Sequence, residues 1–430
     1  MPLANAAATA ANPVLGVIFH WIGGAAAGSF YVPYKGVKKW AWEVYWLVGG
    51  FFSWIICPLF FGWLVATNGA GEHVIFKIYG ELLSATNATL AASSQAQGLS
   101  LFVWPFLFGM MWGVGNATFG LSMRYLGMSL GQGVALGYCT VFGMLMPPIL
   151  KSVAGVGAAD TKGIGDIIGS TGGQVTLVGL AVTVAGIVIA AKAGMTKENE
   201  MPEAEKKKAV PEFNFKRGLL VATFSGILSA GMAYALAAGS PIETAFKGAG
   251  VDPLWAGIPR LLVILLGGFT SNFAWCAYLN WKNKTGYQYL ASHLRPGSAL
   301  TPAATANLER AAEAKAAAGG APSEDLRIPR LSNLLFSALA GATWYFQFFF
   351  YSMGESKMGD FNYASWTLHM ASIIIFATLC GVIFKEWSGV SKKARLLITA
   401  GISTLVFSTV IIGCANWIEK QTKDAAQETK

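Results

Sequence analysis

Residues 331–353 read LSNLLFSALAGATWYFQFFFYSM, without one charged side chain. At about 1.5 Å of rise per residue, a helix of this length crosses a hydrocarbon core of about 30 Å. Inside it lies Trp344-Tyr345-Phe346-Gln347-Phe348-Phe349-Phe350-Tyr351, aromatic everywhere except Gln347. A helix that only faces lipid is expected to use Leu, Ile and Val, and has no reason to hold an amide. An indole, two phenols and an amide in mid-span suit a polar, uncharged ligand, such as a sugar with hydroxyls to bond and CH faces to stack. The competing reading is a packing helix whose Gln bonds to a neighbouring helix.

Composition extends the membrane reading to the whole chain. Of 430 residues, 54% are hydrophobic and 12% charged, and the mean hydropathy is +0.49. A soluble domain is about 25% charged. The pI near 9.2 fits Lys and Arg gathered in cytoplasmic loops, so it is no argument for nucleic acid. Cys57, Cys139, Cys276, Cys380 and Cys414 lie in apolar segments without a CxxC pair, which argues against a disulfide framework and against a metal site. No P-loop, HExxH or nucleophile elbow is present, and Gly131-x-Gly133 follows no strand, so no cofactor is expected.

Ten segments reach spanning length: 14–34, 44–66, 101–121, 128–149, 173–191, 218–238, 254–280, 331–353, 361–384 and 396–416. The fold expected is an all-α polytopic membrane protein of ten transmembrane helices. Lys and Arg concentrate in the odd-numbered loops, for example Lys35, Lys38 and Lys39 in loop one and Lys206-Lys207-Lys208 in loop five. This places odd loops in the cytoplasm and both termini outside. Residues 1–13 hold no Lys or Arg, so a cleavable signal peptide is not expected. Loop two, 67–100, reads as long, polar and external.

A faint repeat divides the chain. Gly23-x3-Ala27-Gly28-x2-Tyr31 recurs as Gly226-x3-Ala230-Gly231-x2-Tyr234, and Trp112 with Asn116 is loosely matched by Trp344 with Gln347. The organisation expected is a first five-helix repeat at 1–195, a cytoplasmic linker at 196–216, and a second repeat at 217–418. The second repeat carries cytoplasmic loop 281–330, and residues 419–430 form a tail. Five is odd, so the second repeat is inverted relative to the first, a plan that puts substrate near the midplane between the halves.

Ionisable residues inside the spans are few. Away from helix ends the sequence shows His20, Arg260 and His369, each about 9–12 Å from its helix's outer end, and no Asp or Glu inside a span. Buried ionisables are costly in a bilayer and point to function by default. A histidine exchanges protons in the physiological range, which makes His20 and His369 the candidates for proton coupling. The alternative for each is a neutral ring bonded to a backbone carbonyl. Arg260 is read as a gating or substrate-facing charge, or else as a structural residue snorkelling outward beside Pro259.

Several stretches resemble one known family. Phe30-Tyr31-Val32-Pro33-Tyr34-Lys35 with Val37-Lys38-Lys39-Trp40-x-Trp42-Glu43 is similar to the start of bacterial L-rhamnose–proton symporters. Met111-Trp112-Gly113-Val114-Gly115-Asn116, continuing to Met123-Arg124-Tyr125-Leu126-Gly127-Met128-Ser129, resembles that family's third and fourth helices. Trp344-Tyr345-x-Gln347-Phe348-Phe349-Phe350-Tyr351 resembles its eighth, and Ser365-Trp366-x2-His369-Met370 with Lys385-Glu386-Trp387 its ninth. The resemblance implies the drug/metabolite transporter superfamily fold, residence in the bacterial inner membrane, and import of L-rhamnose with H⁺ as coupling ion. It implies a cavity lined mainly by helices one, three, four, six, eight and nine. Substrate contacts are then expected from Tyr31, Trp112, Asn116, Trp344, Tyr345, Gln347 and Trp366. Two departures stand out: loops two, five and seven look long, and Arg260 stands where a small polar residue is expected. The charge opens the alternative of an acidic or modified sugar. A carrier of another metabolite, including an exporter, is the competing function, and a polytopic enzyme the more distant one.

Overall fold

The computed structural model describes residues 11–93, 98–126, 128–154, 162–200, 214–295, 326–384 and 387–428. Much of the linker at 196–216, much of the loop at 281–330 and the end of the tail lie outside these residues. The described residues form helices joined by loops, with two isolated bridges, Thr67 to His73 and His293 to Arg327.

Nine helices among the described residues are long and apolar enough to cross a membrane. They are α1 (Pro13–Tyr34), α2 (Trp42–Val65), α4 (Met128–Ala154), α5 (Thr171–Asn199), α6 (Phe215–Gly248), α7 (Arg260–Lys282), α8 (Arg330–Lys357), α9 (Ser365–Ile383) and α10 (Lys392–Glu428). The protein is therefore polytopic. One more long helix, α3 (Ser100–Leu126), packs within the bundle, and Trp104, Pro105, Trp112 and Asn116 dilute its hydropathy.

The helix starts follow local chemistry. The Asn12 side chain accepts from the Leu15 N–H at 3.1 Å, with Pro13 in the first turn of α1. Asn214 caps α6 in the same way through Arg217 N–H at 3.0 Å. In α2, Pro58 has no N–H to extend the ladder, and a π turn over Phe52–Ile56 precedes it.

Between helices the spacing is set by glycine. In hydrocarbon there is no hydrophobic drive for helix to meet helix, so close approach of backbones does that work. α1 packs on both α8 and α9. A Cβ on Gly23 would sit 2.8 Å from the Gln347 carbonyl oxygen, and one on Gly354 of α8 would sit 2.9 Å from the His20 ring. α6 packs on α3 and α4 in a comparable way, α2 on α7 and α8, and α5 on α10. Large apolar side chains such as Phe60, Phe224, Phe273 and Phe407 are exposed on the outside of the bundle, the surface that lipid covers.

Loop two differs from the polar connector expected. Its helices Ile75–Leu83 and Ala88–Ala92 bury Ile75, Ile78, Leu82 and Leu90 against Ile242, Phe246 and Val251. Tyr79 donates to the Pro259 carbonyl at 2.6 Å, pinning the entry to α7. Several span limits also move: α5 runs on to Asn199, α6 to Gly248, α8 to Lys357 and α10 to Glu428, while α7 starts only at Arg260.

Gly23→Ala is expected to cost about 1–3 kcal/mol by overpacking α1 against α8. Thermal unfolding of purified protein reads this as a lowered midpoint, and an unshifted midpoint would show that the interface yields without strain.

Candidate functional site

On α8 the residues Trp344, Phe348, Tyr351 and Glu355 recur at i, i+4, i+7 and i+11, so they share one face. The site is built along this stripe. At its Glu355 end a cavity of about 290 Å³ is lined by Tyr351, Glu355, Trp366, Arg260, Glu243 and Pro147, among others. Lys162, Lys247, Gly359 and Asn362 also line it. Lys162 belongs to loop four, Gly359 and Asn362 to loop eight, and Lys247 to the last turn of α6, so the cavity lies toward the even-loop end.

The wall carries an ionic cluster. Arg260 Nη1 lies 2.9 Å from Glu243 Oε2, and its Nη2 bonds to Glu355 Oε2. Lys247 lies 2.7 Å from Glu243. Arg260 is 3% exposed and is the first residue of α7, where the helix dipole presents positive charge. A cation there needs carboxylates, and it has two.

Two expectations are corrected by this cluster. Arg260 stands at the first position of its helix, not 9–12 Å inside it, and does not snorkel. Glu243 and Glu355 lie within membrane-crossing helices, where no Asp or Glu was expected. Drawing each span to its last apolar residue hid them, because helix and pairing continue past that point. The four-residue stripe on α8 is the signal that reveals Glu355.

Behind the cavity wall sits a histidine pair. His20 of α1 and His369 of α9 are fully buried, with ring centroids 6.3 Å apart. Tyr351 lies against both, at 5.2 Å and 5.3 Å. Among the described residues neither imidazole has a hydrogen-bond partner on either nitrogen. The backbone-bonded ring considered from sequence is therefore not what is seen. Ser372 instead donates to the His20 carbonyl at 2.9 Å, fixing α1 on α9 without engaging the ring. Trp366 is buried beside His369 and donates its indole N–H to the Cys139 carbonyl at 3.0 Å.

Below the cavity, toward the odd-loop end, aromatic rings pack against one another. Trp112 and Trp344 lie 5.5 Å apart, with Phe348 5.9 Å and Trp54 6.0 Å from Trp112. Trp344 stands about 10 Å below Tyr351 along the helix axis. Trp54 and Phe348 thus join Trp112, Trp344 and Tyr351, which the sequence already pointed to as ligand-facing candidates.

The remaining candidates fall elsewhere. Gln347 is buried, and its amide NH₂ has no partner among the described residues. Tyr345 stacks on Phe61 at 5.7 Å, on a different face from the stripe. Asn116 is exposed and not packed among the rings. Tyr31, 47% exposed, packs with Phe30, Tyr34 and Trp46 near the odd-loop end. A larger cleft of about 630 Å³ at that end is bordered by Lys38, Lys39, Arg327 and Arg330. Its concentration of cations does not suit an uncharged ligand. Among the described residues no group of His, Cys, Asp and Glu is arranged to hold a metal.

The family described as L-rhamnose-proton symport protein (RhaT) matches residues 9–285 and 322–416. The chain belongs to this family. It is 34% identical to an L-rhamnose-proton symporter of Pectobacterium atrosepticum over 404 residues, covering 94% of this chain and 98% of the relative. It is also 34% identical to one from Yersinia pestis over 402 residues, covering 93% and 97%. The family match runs without interruption through loops two and five and skips 286–321, inside loop seven. Of the loops that look long, loop seven is therefore where this chain departs from its family's pattern.

Arg260→Gln is expected to leave Glu355 without its cation and Glu243 with Lys247 alone, and to lower stability by about 3–5 kcal/mol. Adding Glu355→Gln should recover part of that loss. Melting curves of the single and double variants measure both, and a wild-type midpoint for Arg260→Gln would mean the cluster bears no structural load.

Proposed function

We propose that the protein imports L-rhamnose in symport with H⁺ across the bacterial inner membrane. It does so through ten transmembrane helices arranged as two inverted five-helix halves, with both termini on the outer side. The observation that carries this reading is the outer cavity floored by Tyr351 and Trp366 and backed by the buried His20–His369 pair. It occurs in a chain closely related over its length to proteins named L-rhamnose-proton symporters. An enzyme has no place in this reading.

The helix contacts support the repeat. Exchanging each helix for the one five along turns α1 on α8 and α9 into α6 on α3 and α4. The same exchange turns α2 on α8 into α7 on α3. The glycine motifs do not superpose residue for residue, since Gly23 meets α8 whereas Gly226 meets Ala135 of α4. The symmetry lies in the architecture more than in the four matched positions.

In this scheme the sugar enters the cavity and stacks on Trp366, with the Tyr351 hydroxyl beside it. Rocking of the halves parts Trp112 from Trp344 and opens the path toward the odd-loop side, where Asn116 and Tyr31 lie. Gln347 and Tyr345 position the middle of α8, and His20 with His369 hold the proton during the transition. Arg260 is met by two carboxylates, so the wall offers no strong pull on an acidic sugar. A neutral deoxyhexose fits it better.

Labelled L-rhamnose should accumulate in proteoliposomes under an imposed pH gradient, acid outside, and collapsing the gradient should abolish accumulation. The double variant His20→Ala with His369→Ala should lose at least about tenfold in gradient-driven uptake. Wild-type accumulation by that variant would take the pair out of the coupling.

Trp344→Ala should lower the rate of counterflow by about tenfold or more while the protein stays folded. An unchanged rate would leave Trp344 as packing.

A further inference from the structure

The histidines lie behind Tyr351 and Trp366, whereas Glu355 lines the cavity itself. Its surroundings differ from those of its neighbour carboxylate. Glu243 is held twice, by Arg260 at 2.9 Å and by Lys247 at 2.7 Å. For Glu355, Arg260 is the ion-pair partner. The charged and titratable groups around it are Arg260 from α7, Glu243 and Lys247 from α6, and Tyr351 one turn back on α8. Across the cavity stands Lys162, 4.0 Å from Asp360, and behind Gly354 stands the His20 ring of α1. With both glutamates ionised, the charges of Arg260, Lys247, Glu243 and Glu355 sum to zero.

We propose that Glu355 is the first acceptor of the symported proton, and that its protonation releases Arg260 to bind the sugar. A proton from water on the cavity side adds to the Glu355 carboxylate, and the ion pair with Arg260 is lost. Arg260 keeps Glu243, so it stays in place. The guanidinium N–H that faced Glu355 then points to the cavity and donates to a sugar hydroxyl, a charge-assisted bond that the unprotonated state lacks. The cluster now carries the proton's single positive charge, which an uncharged sugar does not alter. Proton and sugar therefore favour each other's binding reciprocally.

This inference rests on the transport reading above, and the experiment separates the two. Apparent affinity for L-rhamnose is measured by counterflow, at equal pH on both sides, from about pH 5 to about pH 8. For the wild type it should strengthen toward acid, by up to about tenfold per pH unit for one linked proton. In Glu355→Gln, which keeps Arg260 paired to Glu243, the apparent affinity read by counterflow should lose its pH dependence. The variant should lose gradient-driven accumulation by at least about tenfold. A pH-dependent affinity or full accumulation in Glu355→Gln would overturn the assignment while leaving symport intact. Absence of wild-type counterflow with L-rhamnose would instead overturn the transport reading, and this inference with it. If Glu355→Gln does not fold, a hydrophobic carbodiimide on the wild-type protein decides the matter. Acid-favoured modification of Glu355 that L-rhamnose alters supports the proposal, and no modification of Glu355 across the range refutes it.

Discussion

The structure depends on how closely α1 can lie against α8 and α9. Lipid tails are as apolar as any leucine, so a bundle in hydrocarbon gains its cohesion from close packing rather than from excluding water. Gly16, Gly23, Gly24 and Gly28 leave α1 without side chains where it meets Met358, Gln347, Ser372 and Ala377. Gly354 of α8 does the same beneath the His20 ring. Without that approach His20 would stand away from His369 and Tyr351, and the three rings would not form one group. The packing constraint and the candidate chemistry are thus the same contact seen from two sides.

A second constraint is electrostatic. An arginine as the first residue of a helix opposes the helix dipole, and at 3% exposure it has little water to screen it. The fold answers by bringing one carboxylate from the end of α6 and another from the end of α8. The folded loop two holds this arrangement from outside: its helices pack on the Ser240–Gly248 segment that carries Glu243, and Tyr79 fixes the Pro259 carbonyl just before Arg260. A loop that looked like a connector is the buttress of the cavity wall.

What could be read from sequence follows from which physics leaves a local mark. Long apolar runs mark membrane crossings directly, so the helical, polytopic character was legible, as were His20 and His369 as ionisable groups in apolar surroundings. The family was legible in its Trp-Tyr-x-Gln and Ser-Trp-x2-His stretches. Glu243 and Glu355 were not, because hydropathy drops at the first charge while a helix continues as long as its backbone bonds and ion pairs allow. Loop two was missed for a related reason. Its apolar residues are spaced for a short amphipathic helix, and the partner surface at Ile242, Phe246 and Val251 is distant in sequence. The aromatic stretch needed the third dimension as well, since composition cannot separate Tyr345, which stacks on Phe61, from Trp344, which meets Trp112.

Placing so many functions on one helix has a mechanical consequence. The stripe on α8 runs from Trp344, which packs on Trp112, through Phe348 and Tyr351 to Glu355 in the cavity wall. A shift of α8 large enough to part Trp344 from Trp112 also moves Glu355 relative to Arg260, which is anchored to Glu243 on α6 and to the Leu236 carbonyl. The Trp112–Trp344 contact and the Arg260–Glu355 ion pair are therefore mechanically linked through α8. In the proposed mechanism, breaking the upper pair by protonation would bias the same rigid element whose movement parts Trp344 from Trp112, so a single helix would link proton entry to sugar exit.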